Sequence, residues 1–457
     1  MKSLVQVLCH VTVVLLVAGC KSYTEKMEVL KKEISLDCQI AKYNAYDTKR
    51  VNRLLALQER GRLCQLKGDW SGSANEYRKA IDCLFTMRET KPDISVSDTL
   101  KSAIASTYGN DLAKDYAPSA FDQMMLHTLD AFNCFALGEW DGFGVHARNL
   151  ETWRNEATVF IKRDAKTLQK TGASSNNSTA NDLFKANAVN HSTDNIYSLY
   201  LIGLYHEIIG DTSNAIKAYR DIERIRFGTA TVKETLKSLD TAMKPGKGEV
   251  IVFLEEGFIP PKREVKSYVG GILTSAMPAY ISFDCMPFED GGPLIISENK
   301  HQIAGTRLLC DLAPLAAKSL EECMRGIIAR QIARSSIKIM TKVGLTAATI
   351  SSVVASSGGD NKGAVILAGA AALGVLAMSI YAEASERADL RSWLLLPRQV
   401  QIARFTMDVG KHQLQLSTAG IRENVVAEVK NGEKTIIYCI ALPNAMRTFS
   451  ACLDKIK

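Results

Sequence analysis

The sequence predicts an α+β fold: an N-terminal α-helical repeat domain, then an antiparallel β-rich domain with a long inserted helical hairpin. Three observations carry this. From about residue 25 to 242, apolar residues recur at three and four spacing with few β-branched runs, as in packed amphipathic helices. Lys244-Pro245-Gly246-Lys247-Gly248 breaks that period, and short β-type runs bounded by turn residues follow. Those runs are divided by a stretch, 312–388, that reads as two long helices joined by Gly358-Gly359-Asp360-Asn361-Lys362.

Composition narrows the function classes. The 457 residues are 46% hydrophobic and 23% charged, a globular balance. A formal charge of +7 is mild and lacks the concentrated basic patch of a nucleic-acid binder. The eleven Cys form no CxxC pair and the seven His do not cluster, which argues against a zinc or iron–sulfur framework. No metal or cofactor is expected.

The first element is a leader. Lys2 is its positive end, Leu4 to Val17 is mostly apolar, and Val17-Ala18-Gly19-Cys20 follows. The run is a signal-peptide core and too short for a comfortable membrane span. Small residues before a cysteine resemble a lipoprotein lipobox. The resemblance implies that residues 1–19 are removed and that Cys20 is acylated, palmitate included. Lys21 in place of an aspartate then implies the outer membrane, periplasmic side. An ordinary secretory signal with an incidental Cys20 is the competing reading. Nine Cys remain, an odd number, and most sit in apolar patterns as small hydrophobes. One or two disulfides stay open.

Residues 20–243 form the predicted repeat domain. Gly61 is followed by Gly68-Asp69-Trp70, Tyr77 and Ala80, and Gly203 by Gly210-Asp211, Ala215 and Tyr219. Ala131, Gly138-Glu139-Trp140 and Ala147 occupy the same offsets between them. The first small residue lets a second helix cross closely. The next Gly ends the first helix at a position that favours positive φ. The acid after it sits near the start of the second helix, where the dipole favours it. The tyrosine packs the second helix back on the first. This resembles a degenerate tetratricopeptide repeat; a generic helical bundle with glycine turns is the alternative. The Ser/Asn-rich stretch 170–195 reads as a flexible loop.

Residues 244–457 form the predicted β-rich domain. Its β-type runs are Glu249–Leu254, Ala279–Cys285, Gln399–Met407, His412–Leu416, Val425–Val429 and Thr435–Ala441. Asp408-Val409-Gly410 and Asn431-Gly432 punctuate two hairpins. In the insertion, Arg325, Arg330, Arg334, Lys338 and Lys342 lie along one helix, and an uncharged stretch runs from Gly363 to Ala382. The basic stripe either contacts a membrane or partner or is a solvated face. The uncharged helix, half Ala and Gly, either enters a bilayer or pore or packs tightly within the protein.

Chemical motifs are scarce. Glu255 and Glu256 point to opposite sides of a strand, and no Gly-x-Ser-x-Gly elbow occurs. The expectation is a protein without a catalytic residue.

Several segments resemble a family of uncharacterised bacterial outer-membrane lipoproteins. They are Asn110-Asp111 with Tyr116 and the helix FDQMMLHTLDAFNCFALGEW, then LIGLYHEIIGDTSNAIKAYR, then GEVIVFLEEGFIPPKRE. The most specific holds Asp389, Arg391, Trp393 and Pro397 ahead of QVQIARF. Members are often encoded near lipoproteins similar to activators of penicillin-binding proteins. The resemblance implies a cell-envelope role. With Cys20 as tether and the grooves of the repeat helices as the surface, the expectation is a non-catalytic scaffold that binds a protein partner in cell-envelope assembly or maintenance, not nucleic acid. A membrane-active or pore-associated component using 325–382 is the alternative. Asp389, Arg391, Trp393 and Pro397 are either a structural junction or a partner site.

Overall fold

The structure, a computed structural model, describes residues 22–43, 53–90, 118–170, 191–225, 230–239, 243–269, 272–279, 292–323 and 387–453, with Tyr116, Thr241 and Ile327. The leader with Cys20, most of the 170–195 stretch, and the stripe Arg325, Arg330, Arg334, Lys338 and Lys342 lie outside these residues. So do Asn110, Asp111 and the run after Ala279 as far as Cys285.

Helices fill the N-terminal part: α1 (Tyr23–Asp37), α2 (Arg53–Lys67), α3 (Trp70–Thr90), α4 (Ala120–Leu137), α5 (Trp140–Lys170), α6 (Ile196–Ile208), α7 (Thr212–Ile225) and α8 (Ala230–Leu239). Antiparallel-rich sheets fill the C-terminal part: β1 (Lys247–Glu256), β2 (Arg263–Val269), β3 (Ile272–Ala279), β4 (Ile295–Glu298), β5 (His301–Gly305), β6 (Arg307–Asp311), β7 (Gln399–Asp408), β8 (Gly410–Thr418), β9 (Ile421–Val429), β10 (Lys434–Leu442) and β11 (Ala445–Leu453). A short helix, α9, spans 313–323.

Three helical hairpins, α2/α3, α4/α5 and α6/α7, share one junction. Gly68, Gly138 and Gly210 each take a positive φ, of 81°, 69° and 79°. Gly138 donates its amide to the Cys134 and Phe135 carbonyls, so the left-handed residue closes the helix end. Asp69 then accepts from the Gly72 amide at 2.8 Å, and Asp211 from Asn214 at 3.1 Å, capping the second helix. Where the helices cross, a Cβ on Gly61 would stand 2.3 Å from the Tyr77 ring, and one on Gly203 2.7 Å from Tyr219. Ala131 and Ala147, both buried, hold the corresponding places in the middle hairpin.

The strands make a five-stranded sheet, β11-β10-β1-β7-β6, a four-stranded sheet, β5-β4-β8-β9, and a separate β2–β3 pair. β1 pairs with β10 in parallel and the other pairs are antiparallel, so the β part is not wholly antiparallel as expected. The two turns read as hairpins join different sheets instead. Asp408-Val409-Gly410 carries the chain from β7 in one sheet to β8 in the other, and Asn431-Gly432 carries it from β9 back to β10. True hairpins lie at Asn299-Lys300, with φ of 49° and 69°, and at Ala419-Gly420, with φ of 46° and 81°.

β1 is central and covered on both faces. Val250, Val252 and Leu254, with Cys439 of β10, face the four-stranded sheet and its Leu414, Leu416 and Ala427. Ile251 and Phe253 face the helices, in one continuous core with residues of α1, α2, α4 and α6. The molecule is therefore layered as outer helices, inner helices, five-stranded sheet and four-stranded sheet. No break in the core falls at 243/244, because the inner helices bury their apolar faces against the sheet.

Candidate functional site

The polar groups concentrate in the seam between inner helices and sheet. On the helix-facing row of β1, two acids flank the apolar pair Ile251 and Phe253: Glu249 at one end and Glu255 at the other. Each is met by a cation.

At the first end, Arg62 of α2 donates from Nη2 to Glu255 Oε2 at 2.5 Å, with both side chains at most 1% exposed. Nε donates to the Leu395 carbonyl at 3.2 Å, and Nη1 to Gln65 Oε1 at 2.9 Å and Tyr438 Oη at 3.2 Å. The Tyr197 hydroxyl of α6 donates to the other Glu255 oxygen at 2.7 Å. Burial works against the Arg62 charge, but Glu255 together with Tyr438 and Tyr77 outweighs it and holds the guanidinium pKa above its ordinary value. The chain of bonds continues from Gln65 Nε2 to Asn133 Oδ1 at 2.9 Å, and from Asn133 to Ser73 at 3.0 Å. Four helices and two strands are thus linked.

At the second end, Arg404 of β7 forks onto Glu249 at 2.8 and 2.7 Å and onto Glu207 of α6 at 2.9 Å twice. Lys434 of β10 reaches the same two carboxylates at 2.8 and 2.6 Å. Burial would raise the Glu207 pKa, but Arg404 and Lys434 outweigh it and hold it at about 2. Tyr219, the tyrosine that crosses Gly203, donates its hydroxyl to Glu207. A residue of a helix crossing is also a seam residue.

The segment 388–397 runs through the seam. Asp389 accepts from Arg391 Nε at 2.9 Å and Nη2 at 2.8 Å, a closed fork that turns the chain inward. Trp393 is 1% exposed and meets Tyr77 edge-on, with centroids 5.8 Å apart. It wedges against the helices. Pro397 is buried just ahead of β7, where Arg398 donates its amide to Glu256 at 3.0 Å. Glu59 of α2 accepts from the Leu394 and Leu395 amides at 2.7 and 3.1 Å. Tyr23 of α1 donates to Glu59 at 2.6 Å and sits 3.1 Å from the Ser392 carbonyl oxygen. Burial pushes the Glu59 carboxyl up to about 7 despite these hydrogen bonds.

Among the described residues, the predicted packing positions and the segment with Asp389, Arg391, Trp393 and Pro397 thus fall into one assembly. Gly61, Tyr77, Ala80, Gly203, Ala215 and Tyr219 are packing positions within it. Trp70 lies edge-on to Tyr438 and Phe449, 5.9 and 5.1 Å away, and Trp140 leans on Phe135. The sheet-facing side of the inner helices is covered by the sheet and by residues 391–396, so no partner groove is open on that side. Glu255 and Glu256 do point to opposite sides: Glu256 accepts from Gln401 of the neighbouring strand β7 at 2.7 Å, on the face turned away from the helices.

The seam charges are what the sequence reading missed. Their signal is a charge on an otherwise apolar face: Glu59 and Arg62 in LLALQERGRL, and Arg404 in QVQIARF.

Several other chemistry-bearing groups among the described residues are enclosed or paired. His127 and His146 are buried with their Nδ1 atoms 3.1 Å apart, and His146 stands 3.3 Å from Asp130. A surface cleft of about 580 Å³ is lined by Arg154, His191, Asp194, Asp221, Arg224 and Ile225, with both arginines paired to Asp221. Burial raises the Cys134 thiol to about 12 and keeps Cys439 above its ordinary value, so neither is a ready nucleophile. Among the described residues, no group of three or more His, Cys, Asp or Glu is placed to hold a metal ion. Among them too, no helix is long and apolar enough to cross a membrane. No family model matches the chain, and no curated protein matches it in sequence.

Proposed function

We propose that this chain is a lipoprotein of the outer membrane, held by acylated Cys20 on the periplasmic side, that acts as a non-catalytic protein-interaction scaffold in envelope assembly or maintenance. The three hairpins are read as degenerate tetratricopeptide-like units, and the whole as a member of the uncharacterised lipoprotein family it resembles. One observation carries the scaffold reading. The charged groups of the seam are buried and engaged with one another, tying helices to sheet.

Sealing of the inner helices moves the partner surface outward. Among the described residues, exposed Phe85 of α3 and Val145 of α5, with Leu137 and Ile209 at hairpin ends, are apolar residues open to a partner there. Crosslinking in intact cells followed by mass spectrometry tests the proposal. Recovery of a defined envelope protein with the lipidated chain is expected. Recovery of no protein partner contradicts it.

A further inference from the structure

We infer that the rim built from residues 258–266 and 387–391 faces the bilayer and binds the anionic headgroups of phospholipids. The inference rests on the reading of Cys20 as the acylated residue. Cys20 stands two residues before Ser22, at most about 7 Å of chain. Ser22 is no loose linker: its hydroxyl accepts from the Glu25 amide at 3.2 Å and Glu25 reaches back to the Ser22 amide at 2.7 Å, fixing the start of α1. Tyr23 is then tied into the seam through Glu59 and Ser392. An acyl group on Cys20 therefore leaves almost no tether, and whatever surrounds the start of α1 is brought to the membrane surface.

The surroundings form a contiguous set. From Ser392 the chain steps back to Arg391, whose carbonyl accepts from Lys262 Nζ at 2.9 Å. The Ala388 amide donates to Glu264 at 2.7 Å, joining the two segments again. Lys31 of α1 donates to the Ile259 carbonyl at 3.2 Å and lies over the Phe258 ring, which fixes this rim to α1 itself. The acids here are engaged: Asp389 in the fork with Arg391, and Glu264 with Ala388 and, at 4.0 Å, Lys266. Arg263 and Arg387 are exposed, one on each segment. An acyl chain fixes attachment but not orientation, and a basic surface beside it supplies a second, electrostatic signal worth about 1 kcal/mol for each Lys or Arg near the surface.

The test uses the full mature chain with Cys20→Ser, so that no acyl group masks the effect, and co-sedimentation with two vesicle preparations. One is phosphatidylethanolamine alone and the other contains phosphatidylglycerol. Binding to the anionic vesicles only, falling as salt rises, is expected. Arg263→Glu with Arg387→Glu is expected to weaken that binding at least about tenfold while leaving the thermal transition in place. Equal binding to both vesicles, no binding, or full binding by the folded double variant would overturn the inference. Intact-mass measurement of the wild-type N-terminal peptide separately reports acylation of Cys20, so a failed anchor and a failed rim give different results.

Discussion

Single residues set the close approaches and the charge pairs. Gly61 admits the Tyr77 ring where a Cβ would stand 2.3 Å from it. Gly61→Ala is therefore expected to lower stability by about 1–3 kcal/mol through overpacking, although alanine is the better helix former. Chemical denaturation measures this, and a stabilised variant would contradict the assigned contact. Glu59 makes a pH-dependent contribution. Folding raises its pKa from 4.5 to about 7, so the folded state binds the proton more tightly. The contribution is full below 4.5 and is lost as pH rises through about 7. It is worth at most about 3 kcal/mol. Glu59→Gln is expected to flatten stability against pH across that window, and an unchanged slope would refute it. The Gly–Tyr pairs were legible in the sequence because a small and a large residue at fixed spacing record a helix crossing. The seam charges were not, because Arg62 and Glu255 lie 193 residues apart and Glu59 lies 335 residues before the Leu394 amide it binds.

Elements were legible where one environment covers each face. The alternation in KHQLQLST marks β8, buried on one side and solvated on the other. The unbroken apolar run VIVFL marks β1, covered on both sides. Turn residues reported that the chain reverses but not which sheet receives the next strand, so Asp408-Val409-Gly410 and Asn431-Gly432 were misread. Strands β4, β5 and β6, of 4, 5 and 5 residues, carry too short a pattern to declare themselves. The segment 391–396 shows the same limit. Its specificity comes from a helix carboxylate and an arginine that meet its main chain, and main-chain recognition leaves no side-chain pattern.

At the scale of the whole molecule, helices and sheet are one body. The core is continuous across 243/244, and the two charge clusters tie α2 and α6 to β1, β7 and β10. Residues 20–243 expressed alone are expected to lose the cooperative thermal transition of the full chain, since the inner helices would expose their sheet-facing rows, Arg62 would lose Glu255, and Glu207 would lose Arg404 and Lys434. An independent transition at the temperature of the full chain would refute this. A sealed inner face also decides where a scaffold can act. The most direct test places a photocrosslinking residue in the lipidated chain in living cells at Phe85, at Val145, or at Val426 on the far sheet. The account predicts a discrete protein adduct from the two outer-helix positions and none from Val426. No adduct at Phe85 or Val145, or one confined to Val426, would contradict it.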